Sequence, residues 1–214
     1  MSVPASASAP IRLACRLLLL SLVAPPLLLH GWKLLLVQLF PLFDVSTMRA
    51  LLGWSMPVGY LFVATPLSLL AVPGAIRLLH ALPEPPAMAL SLRALALMFF
   101  VLTAGATAAR FAAELPTAAA LQEGAGMAKL ALCGGVALAL LHGKARAPRP
   151  LLLLTALVFG AALLLHGLRA LWEVPSPRWL VLVRGTGAAL LAASLLLAGW
   201  GPRPWGRQSV ASGS

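Results

Sequence analysis

Four histidines are the residues of this chain best suited to chemistry. His30 and His166 lie in matching strings, LLLHGWK and LLLHGLR, and His80 and His142 lie in RLLHALPEPP and LLHGKARAP. Imidazole titrates near neutrality and is a common ligand of iron and other metals. Each string sits at the end of an apolar run. His30 and His166 fall toward the outer ends of spans that run in the same direction, and His80 and His142 toward inner ends. One outer pair and one inner pair is the layout a di-haem b-type electron carrier needs, because each iron takes two axial ligands. Lys33, Arg169, Arg77 and Arg146 stand three or four residues from the four histidines, on the same helix face, where a cation would suit a haem propionate. The opposing reading is plainer. His, Lys and Arg collect at the ends of membrane helices because they reach the headgroup layer. The HG strings also place a glycine at a helix cap.

Other chemistry is sparse. Cys15 and Cys133 lie in separate apolar runs, outside any CxxC or metal-ligand spacing, and read as small hydrophobes. No HExxH, GxSxG or phosphate-binding glycine loop occurs. The apolar runs hold no Asp or Glu, the groups on which proton- and cation-coupled transporters usually rely. Lys129 and Arg184 fall near outer ends, where they can snorkel or hold an anionic headgroup or substrate. Gln38, Ser68, Thr103 and Thr107 read as polar contacts between helices. The sequence therefore predicts no catalytic activity of its own and no metal site.

These residues are carried by a chain that is 61% hydrophobic and 10% charged over 214 residues. Soluble domains are nearer one quarter charged, so the bilayer is the solvent implied. The net charge of +11 does not indicate nucleic acid, because the basic residues are scattered between apolar runs without a basic stripe. The predicted fold is all-α, a polytopic bundle of about six transmembrane helices. Residues 1–10 read as a disordered tail. Residues 11–84 read as two proline-interrupted spans, and 85–200 as a four-helix bundle with spans at about 87–111, 126–141, 151–171 and 179–200. Residues 201–214 read as a loose tail. No signal-peptide cleavage site follows the first apolar run.

Charge sets the expected orientation. With the N-terminus inside, Arg12, Arg16, Arg77, Arg93, Lys144, Arg146, Arg149, Arg203 and Arg207 fall inside. Lys33, Arg49, Arg110, Lys129, Arg169, Arg178 and Arg184 fall outside. That bias puts both termini in the cytoplasm; short loops and the lack of an organelle signal point to a bacterial inner membrane. Trp32, Trp54, Trp172 and Trp179 map to outer helix ends, and Trp200 and Trp205 to an inner one, as expected of indoles in the headgroup layer. Pro25, Pro26, Pro57, Pro66 and Pro73 interrupt only the first two spans. Such breaks free backbone carbonyls, and they mark binding sites in some transporters. Gly185, Ala189 and Ala193, and Gly105 and Ala109, recur at the four-residue spacing that lets helices approach closely.

Residues about 91–199 resemble the DoxX family of small membrane proteins. The similar features are Arg93 opening an apolar span, the ELP turn at Glu114–Pro116, the glycine-rich string GAGMAKLALCGG, a basic loop, and a span ending LLLHG. The string HGWKL at 30–34 also resembles the end of that family's first helix. The chain departs from the family by two extra N-terminal spans, and by Lys129 and Leu130 where the second family helix usually carries an acid. The resemblance implies a membrane subunit linked to redox or thiol chemistry. The leading functional expectation is thus an accessory membrane subunit supporting an oxidoreductase, with the bilayer and other membrane subunits as partners. The alternatives are a di-haem b-type electron-transfer subunit and a small-solute or lipid transporter.

Overall fold

A computed structural model describes residues 8–82, 85–143, 148–172 and 177–200. The described residues are helical, without strands. They form α1 (Ser8–Leu39), α2 (Val45–Gly59), α3 (Thr65–Leu69), α4 (Ala71–Ala81), α5 (Pro86–Phe111), α6 (Leu115–His142), α7 (Arg149–Trp172) and α8 (Pro177–Trp200). A π-helical turn, Tyr60–Ala64, joins α2 to α3, and α2 to α4 run on as one span, Val45–Ala81. Among the described residues, six helices are long and apolar enough to cross a membrane. The protein is a multi-pass membrane helical bundle.

The spans are arranged as a ring in chain order. Each packs on the next, and α8 closes on α1. The closure is tight: a methyl group added at Gly199 would stand 3.1 Å from Cys15 Cβ. The chain alternates direction, so α1 begins and α8 ends at one end of the bundle, here the terminal end. The turns at 40–44 and 112–114 mark the distal end. The core is built from small residues and leucines, including Ala14, Cys15, Ala75, Leu78, Ala128, Leu132, Ala137 and Leu195. Phe159 is buried, and its ring fills space beside Gly187. The ring's outer surface carries leucine, valine and phenylalanine, as a lipid-facing surface should. Trp32 and Trp179 are exposed near the distal end. The remaining tryptophan side chains, residues 1–7 and 201–214, and Lys144 and Arg146 lie outside the described residues, while residues 8–10, expected in the N-terminal tail, belong to α1.

The prolines act through the backbone. A helical residue donates its N–H to the carbonyl four residues earlier, and proline has none to give. Pro25 and Pro26 nevertheless sit inside one continuous α1. In the second span the ring of Pro66 would collide with the carbonyl of Phe62. The chain widens there to a π-turn, and Thr65 N–H bonds back to Tyr60 O, five residues earlier. Asp44 begins α2. The Ser46 hydroxyl and the Thr47 amide both donate to its carboxylate, the latter over 3.4 Å, and together they hold that carboxyl down at about 2.

The fourth span differs from the sequence expectation. The apolar run begins near residue 126, but α6 starts at Leu115. Pro116 suits a first helical turn because its missing N–H has no partner to lose there. Gln122, Glu123 and Gly124 dilute the hydropathy of the early turns without breaking them. Glu123 consequently lies within the span, roughly 12 Å from its start at 1.5 Å per residue, rather than in an outer loop.

Two positions give direct tests. A methyl group at Gly74 of α4 would meet Leu18 Cγ at 2.9 Å and Leu18 N at 3.1 Å. Gly74→Val is expected to cost about 1–3 kcal/mol as α4 is levered off α1, read by denaturant titration in mixed micelles. Gly31→Ala, which meets nothing within 4 Å, serves as the tolerated control. At the end of α5, Glu114 N–H bonds to Ala109 O and Ala113 N–H to Arg110 O. That is a Schellman cap, and it holds Ala113 at φ 60°. Ala113→Gly is expected to raise stability by about 1 kcal/mol in the same titration.

Candidate functional site

A half-open cavity of about 370 Å³ lies in the middle and distal half of the ring. Its apolar wall comes from Pro25, Leu29, Leu61, Phe99 and Ala106. Its polar wall comes from five different stretches: His30 on α1, Tyr60 to Ser68 on the second span, Thr103 to Arg110 on α5, Gln122 and Lys129 on α6, and Arg184 on α8. Among the described lining residues there are three cations, Arg110, Lys129 and Arg184, and no carboxylate.

Each cation is held differently. The Lys129 ammonium donates to Ser21 O at 3.2 Å and to Ser68 Oγ at 3.4 Å, and stands 6.0 Å from the Phe99 ring centre. The Ser21 carbonyl is available for a simple reason. Its helical donor would be the N–H of residue 25, which is proline. The hydrogen bond missing from α1 thus supplies an acceptor to a buried cation from another span. Arg110 donates to Gln122 Oε1 and lies over the Tyr60 ring, 5.0 Å from its centre. Gln122 Nε2 donates in turn to Tyr60 Oη at 2.5 Å. That triad clasps the second span to α5 and α6 at the π-turn. Arg184 has a buried Nε with no hydrogen-bond partner among the described residues.

The lining hydroxyls are largely committed as donors. Thr103 donates to Phe99 O at 2.7 Å, Thr107 to Thr103 O at 2.9 Å, and Thr65 to Tyr60 O at 2.9 Å. The charged donors of the cavity are Lys129, Arg110 and Arg184. Neutral partners do not cancel a cation's charge, and uncompensated charge away from water is costly. An anion entering this cavity would remove that cost.

The four sequence-selected histidines have different surroundings. His166 is buried at 4% exposure, with Nδ1 4.0 Å from Glu123 Oε1 and Nε2 unpartnered among the described residues. His30 is exposed on α1, edges the cavity, and has Nδ1 2.8 Å from Pro26 O. His80 and His142 are exposed, and His142 edges a shallow groove with Arg149 between α5, α6 and α7. Among the described residues no three His, Cys, Asp or Glu side chains gather as metal ligands.

No protein-family model, curated protein or solved structure matches this chain. The DoxX resemblance rests on the residues quoted for it alone, and the cavity has to be read from its own chemistry.

Ser68, Thr103 and Thr107, expected as interhelical contacts, all line the cavity, and Gln38 is exposed instead. Sequence reading did not pick out Tyr60, Arg110 or Gln122 as partners. Tyr60 is the single tyrosine of the chain, and its place beside the cluster of prolines was the one available signal. Tyr60→Phe removes the acceptor of the Gln122 bond. The expected loss is about 0.5–1.5 kcal/mol, with faster amide exchange over residues 57–66 in hydrogen-exchange mass spectrometry.

Proposed function

We propose that this membrane protein binds a small anionic group in the cavity and serves as a carrier for an anionic solute or lipid. The observation that carries the reading is the lining: three cations from three helices with no acidic side chain among the described residues that form it. Charged groups within membrane spans are costly and are retained chiefly where they act. The prolines of the first span support the same reading, since Pro25 and Pro26 line the cavity and Pro25 frees the carbonyl that holds Lys129. The apolar half of the lining would accept a short acyl or alkyl portion beside the anionic head. Under the charge-based orientation, the cavity occupies the half of the membrane facing away from the cytoplasm. We favour this reading over the accessory-subunit one because it has a defined site.

The test uses purified protein in detergent. Sulfate and dihexanoylphosphatidylglycerol are added separately, and thermal unfolding and calorimetry follow binding. Saturable binding of either is expected, with Lys129→Gln and Arg184→Gln each weakening it about ten-fold or more, as loss of a charge-assisted bond should. Preference for the phosphatidylglycerol would identify a lipid headgroup as the source of the anion, and preference for sulfate a soluble one. Absence of saturable binding by both would overturn the reading.

A further inference from the structure

Behind the cavity lies a second group of ionisable side chains. His166 of α7 is enclosed, while Glu123 of α6 keeps a side chain 60% exposed. Their closest nitrogen and oxygen are 4.0 Å apart. A carboxylate at that separation is placed to hold an imidazolium once the ring gains its second proton. The charged groups facing His166 can be taken element by element. α6 presents Glu123, α8 presents Arg184, and α7 itself presents Arg169. Arg184 is also within electrostatic reach of Glu123. It therefore belongs to two sites at once, because it lines the cavity as well. Two atoms among these groups are buried without partners among the described residues, His166 Nε2 and Arg184 Nε.

We propose that His166 and Glu123 form a proton-binding site coupled through Arg184 to anion binding in the cavity, so that anion and proton bind together. The inference rests on the anion-binding reading of the cavity. With His166 neutral, the Glu123 carboxylate offsets the charge of Arg184. The imidazole gains one proton, supplied by solvent, and no other bond changes. The imidazolium then takes the carboxylate as its own partner. Arg184 is left with its charge unopposed, and the cavity becomes a stronger anion site. An anion beside Arg184 offsets a positive charge that faces the imidazolium. By linkage, whatever factor the proton adds to anion affinity, the anion adds to proton affinity.

The experiment measures the dissociation constants of sulfate and of dihexanoylphosphatidylglycerol between about pH 5 and about pH 8, the interval in which imidazole titrates. Both probes keep their charge throughout it. The wild-type protein is expected to bind about five-fold or more tightly at the acid end, a coupling of ordinary size, and to take up protons in weak buffer when the anion is added. His166→Asn should bind with a flat pH profile and no proton uptake. Glu123→Gln, at an exposed position that does not threaten the fold, removes the group that holds the imidazolium and should also be flat. A wild-type profile that is flat while binding persists overturns the coupling and leaves the anion site standing. A pH dependence unchanged in both variants overturns it equally. Absence of anion binding at every pH removes the cavity reading and this inference with it.

Discussion

The contact between the Lys129 ammonium and the Ser21 carbonyl is the constraint on which the interior of this bundle depends. A lysine amine within a membrane span needs acceptors, and the spans hold almost no acids. The acceptor comes from the backbone, made available by the proline four residues on. Neither half would be sensible without the other. A proline in α1 alone would leave a carbonyl unsatisfied in an apolar environment, and Lys129 alone would leave a cation there. Together they tie α1 to α6 across the ring and keep a net positive charge inside it. A carboxylate partner would have made a neutral pair. A carbonyl and a hydroxyl satisfy the geometry of the ammonium and leave its charge for something else.

The second span uses the same device differently. Pro66 turns a stretch of helix into a π-turn, which swings Tyr60 into reach of Arg110 and Gln122. The distal half is thus held by polar contacts between side chains. The terminal half is held by the close approach of α1, α4 and α8 at glycine, alanine and cysteine. The cavity lies where the polar contacts are. The division follows from hydropathy: the terminal half has the small residues needed for dry packing, while the distal half carries long polar side chains that hold helices apart.

Much of the fold was legible in the sequence because a membrane span announces itself locally, in some twenty consecutive apolar residues. The start of α6 was not, because Gln122 and Glu123 lower the hydropathy of turns that the helix nevertheless contains. The error mattered, since it placed Glu123 in a loop and made the spans look free of acids. The prolines were legible as breaks, but not what they released, because the residue that exploits Pro25 is Lys129, far along the chain. The histidine strings pointed to pairs at each end of the bundle. The matching sequences LLLHG conceal unlike surroundings: His30 is exposed and His166 enclosed, a difference set by the neighbouring helices. The cationic lining could not have been assembled from spacing, for its members come from three helices that only the ring brings together.

That ring has a bearing on how the protein is made. The first helix can meet α4 while synthesis is under way, but its other seam is covered by α8, with Gly199 against Cys15. Until α8 has left the ribosome and entered the bilayer, α1 must keep one side against lipid, and the cavity lacks the wall that carries Arg184. Closing the ring therefore waits on a docking step between α8 and α1, and a chain stopped short of α8 would remain an open horseshoe.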